Sequence, residues 1–281
     1  MIKIAVLSDN RTEHSHFETE HGLCVYLESD AYKFLLDTGA SDIFLRNAQK
    51  LNIDISDIDY VFISHGHADH TGGLAAFLKV NSKAKIILSA KIATTEYYSA
   101  RLGLRKISID YDFNKLNDRL IFVHDQLIIN DSILICKNEV NNYQQPFANK
   151  NLYSKTPNEK SLHPDDFSHE LILVLGNKNV FVYTGCAHNG LLNILETVKK
   201  RYSQPAKWIL GGFHLIDYKE EAANENKDNL QNIAYQIGSD YPESYFITGH
   251  CTGDNAYKML KKELKTQLDY FYAGFEAELY V

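Results

Sequence analysis

The chain has 281 residues, of which 44% are hydrophobic and 23% are charged, so its composition is that of a folded protein and excludes a disordered or fibrous one. Twenty-nine Lys and Arg residues against 36 Asp and Glu residues give a net charge of −7, which disfavours non-specific binding to nucleic acids and anionic membranes. The opening MIKIAVLSDN is too short and polar for a signal-peptide core, and no segment approaches about 18 uninterrupted apolar residues, so we expect a cytoplasmic location.

Three short apolar runs open the chain and are predicted as strands, because each is β-branched or aromatic and bounded by turn residues. They cover Ile2 to Leu7, Leu23 to Glu28, and Tyr32 to Leu36, the last leading into Asp37-Thr38-Gly39. A helix is predicted next, with Ser41 as its N-cap and an apolar face that continues to Leu51.

A fourth predicted strand ends directly in a turn that is rich in histidine. The strand covers Tyr60 to Ser64 and is followed by His65-Gly66-His67-Ala68-Asp69-His70. A helix from Leu74 to Lys79 comes after two glycines. Loops at strand ends are where functional residues often lie, so this turn is the first candidate for a site.

Further strands are predicted along the rest of the chain. They cover Lys85 to Leu88, Leu120 to Val123, Ser132 to Cys136, Leu171 to Leu175, Val180 to Tyr183, Trp208 to Leu210 and Tyr245 to Thr248. The last three end in turns that contain glycine and histidine, namely TGCAH (184–188), GGFH (211–214) and GHCTG (249–253). An amphipathic helix is predicted from Leu191 to Tyr202.

Residues 138–168 form a polar stretch without helical or strand periodicity, and we predict a long ordered loop there. Loops of this length in a compact domain are usually functional or disordered. Its aromatic residues, among them Tyr143 and Phe167, favour a packed lid. No domain boundary is evident elsewhere, so residues 1–281 are predicted to form a single domain.

The four cysteines (Cys24, Cys136, Cys186 and Cys251) lie far apart in the sequence, with no CxxC spacing. This arrangement argues against both a disulfide framework and a zinc knuckle built from thiolates. Reduced thiols are expected.

The strongest chemical signal is the HxHxDH pattern of His65, His67, Asp69 and His70. Imidazole nitrogens and a carboxylate oxygen within six residues suit zinc, iron or manganese better than calcium or magnesium. Three charged imidazoles so close together would repel one another, and a bound cation removes that problem. The pattern therefore predicts a metal site.

These motifs, in this order along nearly the whole chain, resemble the metallo-β-lactamase superfamily. The resemblance rests on the Asp-Thr-Gly turn, the HxHxDH turn with Thr71-Gly72-Gly73 behind it, and the later histidine turns. More narrowly, EHGL (20–23), TGCAH, GGFHL and GHCTG resemble the 7,8-dihydropterin-6-methyl-4-(β-D-ribofuranosyl)aminobenzene-5′-phosphate synthase-like branch. The resemblance implies an α/β fold, an αββα sandwich with the metal site at one edge of the two sheets.

The resemblance also implies roles for individual residues. The implied ligands are His65 and His67 for a first metal, Asp69 and His70 for a second, and His250 as the final histidine. Asp37 matches an acidic residue whose physical use is to accept a hydrogen bond and orient a ligand.

The middle of the chain departs from the dinuclear relatives, which carry Thr-Gly-Asp with a bridging aspartate where this chain has Cys186. The Cys186 thiolate could bind metal, but His188 is the preferred ligand because a neutral imidazole needs no deprotonation. Relatives also have a histidine further upstream, where this chain offers His163, Asp165 and His169, and none of the three matches it cleanly. One ion or two per chain are both consistent with this donor set.

The function expected from these residues is that of a metal-dependent hydrolase acting on a small anionic ester, amide or phosphoester. The metal would lower the pKa of bound water from 15.7 toward about 7 and so generate hydroxide. Asp69 would accept the proton of that water, and His214 would donate a proton to the leaving group, ligate, or bind an anionic substrate group. The lid over 138–168 would exclude water.

Other activities stay open at this point. A site with three histidines and a single iron could carry out redox chemistry, and the branch name points to a pterin-related synthase. RNA cleavage occurs in the superfamily, although the net charge makes nucleic acid an unfavoured partner. A metal-sensing or interaction domain is disfavoured by the intact HxHxDH pattern, so a small-molecule substrate without membrane binding is expected.

Overall fold

The computed structural model of the protein describes residues 1–217 and 224–281. The strands are β1 (Ile2–Ser8), β2 (Cys24–Glu28), β3 (Lys33–Leu36), β4 (Tyr60–Phe62), β5 (Lys85–Ser89), β6 (Glu96–Ser99), β7 (Arg105–Lys106), β8 (Leu120–Val123), β9 (Gln126–Asn130), β10 (Ile133–Lys137), β11 (Leu152–Lys155), β12 (His163–Pro164), β13 (Leu171–Leu175), β14 (Phe181–Tyr183), β15 (Trp208–Leu210), β16 (Tyr245–Thr248), β17 (Leu268–Tyr270) and β18 (Glu276–Leu279). The α-helices are α1 (Ile43–Lys50), α2 (Ala68–Thr71), α3 (Leu74–Val80), α4 (Leu191–Tyr202), α5 (Lys227–Asp240) and α6 (Asp254–Leu264). Among the described residues, no helix is both long and apolar enough to cross a membrane.

Contacts between Cα atoms divide the chain into two units. The first unit comprises Met1–Gln126, Leu152–Leu171 and Tyr272–Tyr280, and the second comprises Leu127–Asn151, Ile172–Phe271 and Val281. The segment predicted as a lid is therefore divided between the two units: residues 138–151 belong to the second unit and residues 152–168 to the first.

The first unit is built on a seven-stranded sheet in the order β18-β1-β2-β3-β4-β5-β8. Strands β18, β1, β2 and β3 pair antiparallel, whereas β3, β4, β5 and β8 run parallel. Helices α1 and α3 bury Phe44, Leu74 and Phe77 in an apolar cluster with Leu35 and Val61 of the sheet. Because β3 and β4 are parallel neighbours, the turns that follow them begin at the same edge of the sheet.

The second unit is built on a seven-stranded sheet in the order β17-β16-β15-β14-β13-β10-β9. Strands β14, β15, β16 and β17 run parallel, and Tyr183, Leu210 and Ile247 lie in register across three of them. Helices α4, α5 and α6 supply Leu195, Ile237 and Leu260 to the apolar core of this unit. The turns after β14, β15 and β16 therefore share one sheet edge.

A third sheet has four short strands in the order β12-β11-β6-β7 and belongs to the first unit. It corrects the prediction of an unbroken loop over 138–168, because β11 and β12 lie within that segment and Leu152 pairs with Ser99. The strands were not predicted because they are polar and short, and their pairing partners are distant in the sequence.

The predicted helix at 41–51 begins one residue later than expected. Asp42, not Ser41, is the N-cap, and its side chain makes no capping hydrogen bond. The Ser41 hydroxyl accepts a hydrogen bond from the Ile43 amide at 3.3 Å and donates one to Glu20 Oε2 at 2.5 Å. Most of the other predicted strands and helices are found within two residues of their predicted bounds.

Candidate functional site

The HxHxDH segment of the first unit lies directly after β4, and its second half is a short helix. His67 is the N-cap of α2, so Asp69 and His70 stand on a helical turn rather than in a loop. The ring centroid of His65 lies 4.6 Å from that of His67 and 4.1 Å from that of His70. The segment therefore places three imidazoles side by side.

Gly66 allows this turn to pass close to an aromatic ring. A Cβ atom on Gly66 would lie 2.3 Å from Cε2 of Tyr97, so the contact requires glycine. Tyr97 is 1% exposed, and its ring stacks at a tilt on His169 with centroids 4.1 Å apart.

Burial keeps His65 and His67 neutral, which is the form that binds metal. Burial lowers the pKa of His65 well below its usual value, and the neighbouring His70, His67 and His169 lower it further. Burial and the charge of His169 lower the pKa of His67 to about 3, against the opposing carboxylates. Asp69 is the accessible member of the segment, with 21% of its side chain exposed and Oδ2 3.8 Å from His70 Nε2 and 3.4 Å from His21 Nε2.

Asp37, after β3, contacts His70 through a buried hydrogen bond. Its Oδ2 lies 2.8 Å from His70 Nδ1, and since a carboxylate oxygen accepts, the histidine nitrogen donates. The Asp37 side chain is fully buried and also accepts from the amide and hydroxyl of Ser64, each at 2.7 Å. Fixing the hydrogen on Nδ1 leaves the lone pair of His70 on Nε2.

Ser64 fixes the position of the ring hydrogen of His65, as Asp37 does for His70. The sequence alone gives no indication of this role. Its hydroxyl donates to Asp37, so the 2.9 Å contact with His65 Nδ1 has the histidine nitrogen as donor. The lone pair of His65 therefore also lies on Nε2. Serine after a strand carries no signal of its own, and only the contact with Asp37 reveals this role.

His169 and Asp165 support the turn and are engaged with each other. The Gly66 amide donates to His169 Nδ1 at 3.0 Å, and His169 Nε2 donates to Asp165 Oδ2 at 3.1 Å. Both ring nitrogens of His169 are thus used within the first unit. Asp165 Oδ2 lies 4.0 Å from His67 Nε2, beyond hydrogen-bond distance.

The second unit places its own histidines and cysteines at the shared edge of its parallel strands. Cys186 and His188 follow β14, His214 follows β15, and His250 and Cys251 follow β16. Each of these side chains belongs to a residue at most 6% exposed. His214 and His250 have left-handed backbones with φ of 51° and 53°, so the turns fix these two residues in an unusual conformation.

Asn149 orients His188 and was also missed by the sequence analysis. Its Oδ1 lies 3.2 Å from His188 Nδ1, and its Nδ2 donates to the His188 carbonyl at 2.8 Å. The ring centroid of His188 lies 4.1 Å from that of His214. Asn149 lies in the polar stretch predicted as a lid, where a single asparagine gives no distinguishing signal.

Two sets of three donor side chains in the second unit each have ligand atoms within 4.8 Å of one another. One set is Cys186, His188 and His214, and the other is Cys186, His250 and Cys251. Burial raises the pKa of the Cys251 thiol, but hydrogen bonds with Cys186 and His214 and the charge of His250 outweigh burial and lower this pKa well below its usual value.

The donor chemistry of both units fits a divalent metal. The first unit offers buried neutral imidazoles and one carboxylate, and the second offers imidazoles and thiols. In the first unit, two of the imidazoles are oriented by a carboxylate and a serine, as metal ligands usually are.

Comparison with known proteins shows which families and structures the chain is similar to. Residues 18–132 match the model of the metallo-β-lactamase superfamily. The chain is 27% identical to the 7,8-dihydropterin-6-methyl-4-(β-D-ribofuranosyl)aminobenzene-5′-phosphate synthase of Methanocaldococcus jannaschii, over 97% of this chain and 95% of that protein. It is 28% identical to an uncharacterised protein of the same organism, over 93% and 94% of the two chains.

A solved structure matches nearly the whole chain. It is the crystal structure of a metal-dependent hydrolase of the β-lactamase superfamily, with a TM-score of 0.81, 29% identity and 99% coverage of both chains. The predicted resemblance and the predicted fold class are thereby confirmed.

Proposed function

We propose that this chain, whose residues 18–132 match the model of the metallo-β-lactamase superfamily, is a metal-dependent hydrolase of a small anionic ester, amide or phosphoester. The observation that carries the proposal is the HxHxDH segment, in which three buried imidazoles lie beside one accessible carboxylate. The similar solved structure, itself named a metal-dependent hydrolase, supports the same class of reaction.

The proposed ligands are His65, His67, Asp69 and His70 in the first unit, and His188 and His250 in the second. Zinc is the proposed metal, because it is bound by histidine nitrogens and carboxylate oxygens in catalytic sites. Iron and manganese suit many of the same donors and are the alternatives.

A divalent ion, when bound, supplies Lewis acidity that lowers the pKa of water toward about 7 and polarises the bond to be cleaved. Asp69 is the proposed acceptor of the proton of the attacking water, because it is the carboxylate of the segment and 21% of its side chain is exposed. Asp37 and Ser64 hold His70 and His65 in the tautomer that presents Nε2. His214 is the proposed proton donor to the leaving group.

The test is metal analysis of protein purified anaerobically without chelator, followed by turnover of a panel of nitrophenyl esters and phosphoesters. Two zinc or manganese ions per chain with hydrolysis support the proposal, and His188→Ala is expected to lower the metal content. His124→Ala is the control, because His124 is exposed. A single iron without hydrolysis would redirect the search to redox chemistry, and no metal at all would overturn the proposal.

A second candidate is the synthase reaction named for the archaeal relative, favoured by 27% identity over nearly the whole of both chains. A synthase of that class would join the methyl carbon of a dihydropterin precursor to the aminobenzene that carries the ribosyl phosphate, with the precursor's leaving group expelled from that carbon and a proton lost from the aminobenzene, rather than cleave a bond with water. Incubation with a dihydropterin precursor and the aminobenzene ribosyl phosphate, followed by mass spectrometry of the products, separates the two reactions.

A further inference from the structure

We propose that Cys186, Cys251 and His250 form a thiolate-containing metal-binding set within the second unit, so that a bound ion has sulfur as well as nitrogen ligands. The inference deepens the proposed function and rests on it, because it concerns which atoms hold the metal. It differs from the ligand set derived from the sequence, in which His188 was preferred over Cys186 and Cys251 had no role.

The distances between the three donors suit one ion. The Sγ atoms of Cys186 and Cys251 and a ring nitrogen of His250 all lie within 4.8 Å of one another. Bond lengths of about 2.3 Å to sulfur and about 2.0 Å to nitrogen place tetrahedral ligand atoms about 3.5 Å apart. A small inward movement of the three side chains would bring their ligand atoms to these distances. Two cysteines and one histidine form a known donor set of catalytic zinc.

The surroundings of Cys251 hold its sulfur in place. The His214 amide donates to Cys251 Sγ at 3.2 Å. A Cβ atom on Gly212 would lie 2.3 Å from that sulfur, so the turn after β15 leaves the space that the sulfur occupies. A backbone amide aimed at sulfur favours the thiolate, which is the form that binds metal.

The other two cysteines lie in a different environment. Cys136 belongs to the apolar core of the second unit, and burial raises its pKa to about 11. Cys24 belongs to the apolar core of the first unit. These two thiols fill core space, whereas Cys186 and Cys251 stand in turns with histidines at the edge of a parallel sheet.

Sulfur ligands select the class of metal. Thiolates favour zinc, cobalt(II) and copper(I) over magnesium, calcium and manganese. Each thiol that binds the ion loses its proton to solvent, so binding becomes tighter as the pH rises.

Cobalt(II) reports these ligands directly, because cobalt bound to thiolate absorbs in the near ultraviolet and cobalt bound only to nitrogen and oxygen does not. The full-length protein, purified anaerobically and stripped of metal, is titrated with cobalt(II) while bound cobalt is counted by elemental analysis. We expect a thiolate band in the wild type, about half of it in Cys186→Ser and in Cys251→Ser, and the full band in the control Cys136→Ser.

The outcomes separate this inference from the proposed function. Cobalt bound without a thiolate band, or a band unchanged in both serine variants, overturns sulfur ligation and leaves metal-dependent hydrolysis standing. No cobalt or zinc bound by the wild type overturns both. X-ray absorption of the zinc-loaded wild type needs no variant, and zinc–sulfur scattering at about 2.3 Å supports the inference even where a serine variant misfolds.

Discussion

Asp37 combines a left-handed backbone, with φ of 57°, and a buried side chain in which both oxygens accept hydrogen bonds. Its Oδ2 accepts from both Ser64 Oγ and His70 Nδ1. If this oxygen were the uncharged oxygen of an amide, it would accept these two hydrogen bonds more weakly. If the nitrogen of an amide stood there instead, it would face two donors and could accept from neither. Control of the histidine tautomers therefore depends on a single carboxylate.

Asp37→Asn keeps the shape of the side chain and tolerates the left-handed backbone. It removes the charged acceptor, so we expect metal affinity to fall about 10- to 100-fold, as for other orienting residues. Competition with a fluorescent chelator measures the affinity. The control is Asp57→Asn, whose carboxylate is half exposed and pairs with Lys33 and Lys83. An unchanged affinity in Asp37→Asn would show that orientation by Asp37 is unimportant.

Asp69→Asn tests the proposed base. Because a positioned acid or base contributes about 100- to 10,000-fold, turnover should fall at least about 100-fold while the fold is retained. Steady-state kinetics and circular dichroism measure the two quantities. Asp131→Asn, an exposed turn residue, is the control. A fully active Asp69→Asn enzyme contradicts the role.

At this scale the sequence predicts candidate ligands but not the residues that contact and orient them. His65, His67 and His70 stand in a short pattern that few other purposes explain. Ser64 and Asn149 are ordinary polar residues until the fold brings them to Asp37 and His188. Their roles depend on contacts between residues 27 and 39 positions apart, which no local pattern records.

At the scale of elements, each unit presents its candidate residues from turns that follow parallel strands. Parallel strands are buried on both faces and read as short apolar runs, which is why β4, β14, β15 and β16 were predictable. Strands β6, β7, β11 and β12 are polar and owe their structure to pairing with one another. The strands that could be predicted from the sequence are therefore the ones that lead into the turns with the candidate residues.

The turn after β3 depends on Glu20. Its Oε1 accepts from Ser8 Oγ and the Ala40 amide at 3.0 Å and from the Ser41 amide at 3.2 Å. Glu20→Ala leaves these donors without that acceptor, so we expect the free energy of unfolding to fall by about 1–3 kcal/mol. Urea denaturation measures the change.

Glu278→Ala is the control for this measurement. Glu278 Oε1 lies 3.8 Å from Lys3 Nζ, and both side chains are more than half exposed. Its loss should change the free energy of unfolding by less than about 0.5 kcal/mol. Equal effects of the two substitutions would refute a special role for Glu20.

Gly212→Ala tests whether space beside Cys251 matters. The added methyl would displace the sulfur, so the cobalt–thiolate band should weaken at least twofold. Gly238→Ala in α5 is the matched control, because a Cβ there meets no atom within 4 Å among the described residues. A full-strength band in Gly212→Ala would mean that the sulfur tolerates the displacement.

For the whole molecule, bound metal should contribute to stability. A ligand that binds only the folded state stabilises it by about 2.7 kcal/mol at a concentration 100 times its Kd. Treatment with chelator should therefore lower Tm, and zinc should restore it. The double variant His65→Ala/His67→Ala should show a smaller response, measured by differential scanning fluorimetry. An equal loss of Tm in that variant would indicate that the chelator acts elsewhere.

The order of motifs along the chain was enough to predict the fold class, because each motif follows a strand of the expected kind. The return of residues 272–280 to the first unit was not predicted. The strand β18 reads EAEL, a short and half-charged sequence without the features of a buried strand. Its place is set by pairing with β1, at the opposite end of the sequence.

That pairing has a consequence for the time course of synthesis. A ribosome makes β1, which is apolar and almost fully buried, more than 260 residues before β18, the strand that covers its outer side. Until then, the nascent sheet ends in an unprotected row of amide and carbonyl groups, which other chains can pair with. Slow translation or premature termination should therefore favour aggregation of the growing chain, and the final strand completes its protection.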